Sequence, residues 1–216
     1  MIKVVMAGAS GLIGRELLKL CTQDEKIAAI YSLGRSKRVD LPSKVAEIVT
    51  SFDSIQEMEL PTCDVGLCSL GTTMKQAGSK ENFYKVDHDF VLNFAKFCKK
   101  KGVKKFIVVS AMGAHVNSHV YYNKVKGRTE EDLQKLNFDS LIILRPSLLL
   151  GERTDFRLSE WMAQKLAAPL GLLFVGGLEK LKPISGLKVA MRMWAESTSS
   201  APIQAGKCQI LSNHEI

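Results

Sequence analysis

The chain has 216 residues, 46% apolar and 24% charged, with 30 Lys and Arg against 22 Asp and Glu. A chain of that length buries roughly 70% of its unfolded surface, which excludes a fold that needs disulfides or a metal to stand. The formal charge of +8 admits a nucleic acid, an anionic lipid or a phosphorylated small ligand as partner. The start, MIKVVMAG, turns polar too soon for a signal peptide. In chain order, IKVVMAG reads as a strand and residues 11 to about 22 as a helix. IAAIYSLG is a second strand, VAEIVT a shorter third and DVGLCSLG a fourth. From about Ser79 to Lys101, Phe83, Val86, Phe90, Val91, Phe94 and Phe97 recur near the helical period. KKFIVVSA is the fifth strand, 120–136 a helix and FDSLIILRP the sixth strand. Helical patterns follow near 157–168 and 186–198, and KCQILS can close the chain as a last strand.

Apolar strands separated by helices give an α/β fold with a doubly wound parallel sheet, covered on both faces. The chain reads as a single domain over 1–216. Regular alternation fades after Pro146, so 147–216 is expected as a small substrate-side extension packed on the sheet's carboxyl edge. LAAPLGLLFVGGL is about half a membrane span and holds Pro169 and Gly171, so no membrane segment is expected. Five cysteines, Cys21, Cys63, Cys68, Cys98 and Cys208, show no metal-ligand spacing and read as reduced, small apolar core residues. They point to a cytoplasmic protein. The lysines of KFCKKKGVKKF read as a solvated helix end stopped by Gly102. Without interleaved aromatics or a recognition motif, no nucleic-acid partner is expected.

Gly8, Gly11 and Gly14 fall between a strand and a helix. In that context the first glycine permits the sharp turn, the second lets backbone reach a pyrophosphate and the third lets helix pack on strand. Ser10, Leu12 and Ile13 belong to the turn and first helical residues, whose N–H groups would meet the anion. A tight turn without a ligand is the alternative. After the second strand the sequence reads Arg35, Ser36, Lys37, Arg38, with no acid before Asp40. A carboxylate there would accept from a ribose 2′-hydroxyl, whereas an arginine fork grips a 2′-phosphate. NADP(H) is therefore the expected dinucleotide, against four solvated turn residues.

Tyr122 and Lys126 are four residues apart on a predicted helix, so both project from one face. A tyrosine near its ordinary pKa of ~10 needs about 4 kcal/mol of help to exchange protons near neutrality. An ammonium about 4 Å away at an effective dielectric near 20 supplies about that much. Ser110 ends the fifth strand, at the edge where open α/β sheets bind ligands, and its hydroxyl can orient a substrate carbonyl. An amphipathic helix and a satisfied strand-end hydroxyl are the structural alternatives.

Together these residues resemble the short-chain dehydrogenase/reductase superfamily, and more narrowly its atypical branch around the HIV Tat-interactive protein. The resembling stretches include GASGLIGREL, LGRSKR, VGLCSLGTTMKQAGS, YKVDHDFVLNFAK, VSAMGA, YYNKVKGRTEEDL and LRPSLLLGER. The resemblance implies an NADP(H)-binding Rossmann fold with Tyr122 as catalytic acid/base and Lys126 binding the nicotinamide ribose. It places Gly71, Thr72 and Thr73 along the cofactor, and Arg145, Pro146 and Ser147 beside the nicotinamide. Two positions depart from the superfamily: Ala111 stands where a second serine is common, and Asp87 where an asparagine is. His115 and His119 read as exposed loop residues, and Glu130, Glu131 and Asp132 as a solvated helix face.

The expected function is an NADP(H)-dependent oxidoreductase, monomer or homodimer, moving a hydride to or from a small carbonyl or alcohol substrate. The alternative is a non-catalytic NADP(H)-binding redox sensor acting through protein partners. An epimerase is disfavoured by the short carboxyl-terminal part.

Overall fold

A computed structural model describes residues 1–37, 41–150, 182–199 and 206–216. Strands β1 (Ile2–Ala7), β2 (Ile27–Gly34), β3 (Val45–Val49), β4 (Val65–Cys68), β5 (Lys105–Val109), β6 (Ser140–Arg145) and β9 (Lys207–Ser212) form one sheet. Its order is β3-β2-β1-β4-β5-β6-β9, with every neighbouring pair parallel. β7 (Leu149–Leu150) and β8 (Ile184–Ser185) pair separately. The fold is a Rossmann-type doubly wound sheet, as the alternation of strands and helices requires. Between β1 and β4 the chain changes direction across the sheet, which opens a crevice at the carboxyl ends of these two strands.

The pleat sorts the core. Val4 and Met6 of β1 face α1 (Leu12–Gln23) and α5 (Gly186–Thr198), and join Leu17, Leu18, Val189 and Met193 in one cluster. Val5 and Ala7 face the opposite layer, with Phe94, Phe97 and Leu133. That layer holds α4 (Tyr121–Gln134) and α3, which runs Lys80–Tyr84, turns as a π segment over Lys85–Asp89, and continues over Phe90–Lys100. A short α2 (Met74–Ala77) precedes it.

Polar side chains finish the helix ends. Lys44 Nζ donates to the carbonyls of Thr22 and Asp24 at 3.0 and 2.9 Å, at the end of α1. Buried Lys105 donates to Glu196 and Ser199 carbonyls at the end of α5. At the end of α3, Lys99 and Lys100 reach the carbonyls of Asn137 and Gln56, and Lys101 pairs with Glu59.

Several expectations need correction. Val86 was expected on the core stripe, but the π turn adds a residue per turn and rotates Asp87 and His88 inward instead. His88 is held by Asp89 Oδ1 at 2.8 Å and Asp132 Oδ2 at 3.0 Å, and stacks on Tyr84. Residues 186–198 and 207–212 cover a sheet face and add its last strand, instead of forming an appendage on the carboxyl edge. Cys208 is exposed, because it lies on the edge strand, while the other four cysteines are buried. The expected helix at 157–168 and the apolar run at 166–178 lie outside the described residues. Among the described residues, no helix is long and apolar enough to cross a membrane, and no acid, His and Cys group is placed to hold a metal.

Candidate functional site

The turn after β1 is fixed by two glycines. Gly8 has φ of 90°, and a Cβ there would lie 2.6 Å from the Ser69 backbone beyond β4. A Cβ on Gly14 would lie 2.0 Å from the Gly8 carbonyl oxygen, so α1 can rest on the turn only without one. Ser69 fastens the same corner, its N–H donating to Ala7 and its hydroxyl to the Gly8 carbonyl. Gly11 begins α1 with no side-chain cap. Its uncapped N–H groups and the positive end of the helix open on a cleft.

That cleft has two parts. One, of about 220 Å³, is lined by Ser10, Gly11, Leu12, Ile13, Arg15, Gly71, Thr72, Gln76, Asp87, Ser110, Tyr122, Lys126 and Leu149. The other, of about 140 Å³, runs past Gly8, Ser32, Arg35, Ser36, Glu47 and Phe52. Both include Ser10, Gly11, Ser69, Leu70 and Gly71, so they form one groove along the carboxyl edge.

At the inner end, Tyr122 and Lys126 project from α4 into the groove. Tyr122 packs on buried Phe83 with ring centroids 5.5 Å apart. Tyr121 turns away, its hydroxyl donating to the Lys80 carbonyl at 3.0 Å. Lys126 is 5% exposed, and its Nζ lies 2.7 Å from Oδ1 of Asp87, which is 1% exposed. Asp87 Oδ2 accepts the Thr72 N–H at 2.8 Å, tying the loop after β4 to the same carboxylate. Burial opposes the ammonium, but the Asp87 carboxylate and neighbouring Tyr122 outweigh it and hold the Lys126 pKa above its ordinary value. Below them, burial pushes the Cys68 thiol up to about 12, so it stays neutral.

Ser110 follows β5, and its hydroxyl donates to Glu130 Oε1 in a short contact. Glu130 is only 3% exposed. It also receives Arg145, whose Nε lies 3.0 and 3.1 Å from the two carboxylate oxygens. The expectation of a solvated face therefore fails for Glu130: it sits one helical turn beyond Lys126 on the inward side of α4, where β6 presents Arg145. Replacing Glu130 with Gln keeps the shape but leaves the guanidinium without its counter-charge. The expected cost is about 2 kcal/mol, a fall in melting temperature of roughly 4–8 °C. Unchanged melting would mean the pair contributes nothing to the fold.

Of the residues expected along the cofactor, Gly8, Ser10, Gly11, Leu12, Ile13, Arg35, Ser36, Gly71, Thr72, Tyr122 and Lys126 line the groove, with Ser110. Gly14 lies beneath it. Thr73 instead caps α2, accepting the Gln76 N–H at 3.1 Å. Arg145 is engaged by Glu130, and the Pro146 carbonyl accepts the Met112 N–H. Lys37 does not line the groove, and Arg38 lies outside the described residues. His115 and His119 are exposed. Sequence reasoning missed Arg15, Gln76 and Glu47, and marked Asp87 only as a departure from the superfamily's asparagine. Arg15 carried a readable signal, a cation in the first turn after the glycines; Glu47 reaches the groove only because β3 pairs with β2.

Comparison with known proteins places this architecture. The family model described as HIM1 matches residues 35–170. Protein FMP52, mitochondrial, of Eremothecium gossypii is 41% identical over 150 residues, covering 69% of this chain and 67% of the relative. Protein HTATIP2 of Rattus norvegicus is 36% identical over 172 residues, covering 77% and 71%. UDP-glucuronic acid 4-epimerase from Bacillus cereus, solved with UDP-glucuronic acid and NAD, superposes with a TM-score of 0.70 at 15% identity, over 98% of this chain and 77% of that one. At that identity the likeness concerns the fold. The mitochondrial designation of the FMP52 relatives overturns the cytoplasmic expectation. Buried thiols report only a reducing environment, which does not single out one compartment. The chain belongs to the HIM1 family and is a homologue of HTATIP2, within the group of Rossmann folds that its glycine turn and Tyr122–Lys126 spacing resemble.

Proposed function

We propose that this protein is an NADP(H)-dependent oxidoreductase that moves a hydride to or from a small carbonyl or alcohol compound. The observation that carries the reading is one groove joining the uncapped start of α1 to Tyr122, Lys126 and Ser110. Such a groove fits a dinucleotide, with the pyrophosphate on the α1 N–H groups and the nicotinamide ribose at Lys126. Arg35 and Ser36 would take the 2′-phosphate at the far end. The bound dinucleotide supplies the hydride. Tyr122 exchanges the proton with the reacting oxygen, and Lys126 holds its charge beside that phenol.

Titration calorimetry with NADPH and NADH, followed by NADPH oxidation against a panel of aldehydes and ketones, tests the reading. Binding of NADPH with turnover of at least one carbonyl compound is expected. No heat with either dinucleotide would end it. Arg35→Ala separates the two cofactors: affinity for NADPH falls about 10–100-fold and affinity for NADH stays. Equal losses for both would remove the 2′-phosphate assignment, since Glu47 lies at the same end of the groove.

A second reading, NADP(H) binding without turnover, draws on Ser110. Its hydroxyl already donates to Glu130, which leaves that hydrogen engaged away from a substrate carbonyl. Tight NADPH binding with no turnover across the panel would favour that reading.

A further inference from the structure

The inner end of the groove contains an enclosed carboxylate that the proposed chemistry does not use. This is Asp87, which the π turn of α3 rotates inward, where it is almost fully enclosed. Its Oδ1 lies 2.7 Å from Lys126 Nζ, and its Oδ2 is taken by the Thr72 N–H at 2.8 Å. Gly71 closes over the pair; a Cβ there would lie 3.3 Å from Oδ1. A carboxylate and an ammonium in contact form a dipole, whose field at a third group falls off far faster than that of a lone cation. At a third group such as Tyr122, the Asp87 carboxylate therefore opposes the field of Lys126.

We infer that Asp87 is the counter-charge of the Tyr122–Lys126 pair and keeps Tyr122 a protonated phenol, set to give a proton to a carbonyl oxygen rather than take one from an alcohol. This inference rests on the proposed oxidoreductase reading and gives it a direction. In the favoured direction the O–H bond of Tyr122 breaks as an O–H bond forms on the substrate oxygen. The carbonyl carbon accepts the hydride supplied by the reduced dinucleotide, and the tyrosinate regains its proton from water. The other groups facing the pair leave this balance alone. Cys68 of β4 is a neutral thiol. Thr129 of α4 donates its hydroxyl to the Asp87 main-chain carbonyl. Ser110 is bound to Glu130, whose own charge is met by Arg145.

The test is an ultraviolet titration of tyrosinate in protein free of cofactor and substrate, so absence of turnover leaves its result standing. Wild type and Asp87→Asn are each measured against the same protein carrying Tyr122→Phe, which cancels Tyr31, Tyr84 and Tyr121. Tyr122 is expected to ionise about one pH unit or more lower in Asp87→Asn, a tenfold gain in acidity. An unpaired buried lysine can shed its own proton instead, so the comparison is repeated in a Lys126→Arg background, where the cation keeps its charge. A downward shift in either background supports the counter-charge; no shift in both overturns it. Should the Asp87→Asn proteins not fold, the wild type decides: Tyr122 ionising well below the ordinary tyrosine range of about 10 overturns the inference, and Tyr122 ionising within that range upholds it.

Discussion

Tyr122→Phe is expected to lower kcat/KM by about 10²–10⁴-fold in any turnover found, with NADPH affinity nearly unchanged. At the inner end of the groove, the donors beside the phenol among the described residues are held by other groups. The Ser110 hydroxyl donates to Glu130, and Lys126 is committed to Asp87. The Cys68 thiol is buried beneath them with its pKa pushed up to about 12. The phenyl ring left behind keeps its place against Phe83, since the 5.5 Å ring contact needs no hydroxyl. Steady-state kinetics and calorimetry on the same preparation give both quantities. Activity equal to wild type would remove the proposed mechanism even if the enzyme label survived. A parallel loss of NADPH affinity would make the hydroxyl a binding group rather than an acid.

Gly14→Ala carries the largest expected cost to the fold, about 4 kcal/mol or more, seen as a melting temperature lowered by roughly 8–16 °C. The added methyl would stand 2.0 Å from the Gly8 carbonyl oxygen. Both partners in that collision are backbone, so no rotamer relieves it, and α1 must lift from β1 and carry its apolar face with it. Gly11→Ala provides the contrast. Its methyl meets only the Gly8 carbonyl oxygen, at 3.4 Å, so folding should change by less than about 0.5 kcal/mol. In the proposed binding mode that methyl would meet the pyrophosphate, so dinucleotide affinity should fall while the melting temperature holds. If the two variants melt alike, the division between a packing glycine and an approach glycine is wrong.

Much of the fold was legible because the signals are local. Val4, Val5, Met6 and Ala7 form an unbroken, β-branched-rich apolar run that ends at a glycine turn, and a strand covered on both faces buries all four. The glycine turn, the second strand and the Tyr122–Lys126 helix fell within a residue or two of their observed bounds, since their patterns are short and uninterrupted. The groove was partly legible for the same reason: a glycine turn and a four-residue offset carry their geometry with them. Thr73 and Arg145 show where this stops. Each was assigned to the cofactor by its neighbours in sequence, and each is occupied by a partner in space, Gln76 in one case and Glu130 in the other.

The sequence by itself determined the doubly wound sheet, the glycine turn that opens a groove at the carboxyl edge, and which tyrosine shares a helical face with a lysine. Tertiary structure alone decided the charges. A single extra residue in one helical turn brought Asp87 against Lys126, and the pairing of β5 with β6 set Arg145 opposite Glu130. Helical and strand periods arise between residues close in the chain, so composition and spacing reveal them. An ion pair between residues 39 apart depends on how the layers pack, because Coulomb energy follows distance through space and the polarity around it.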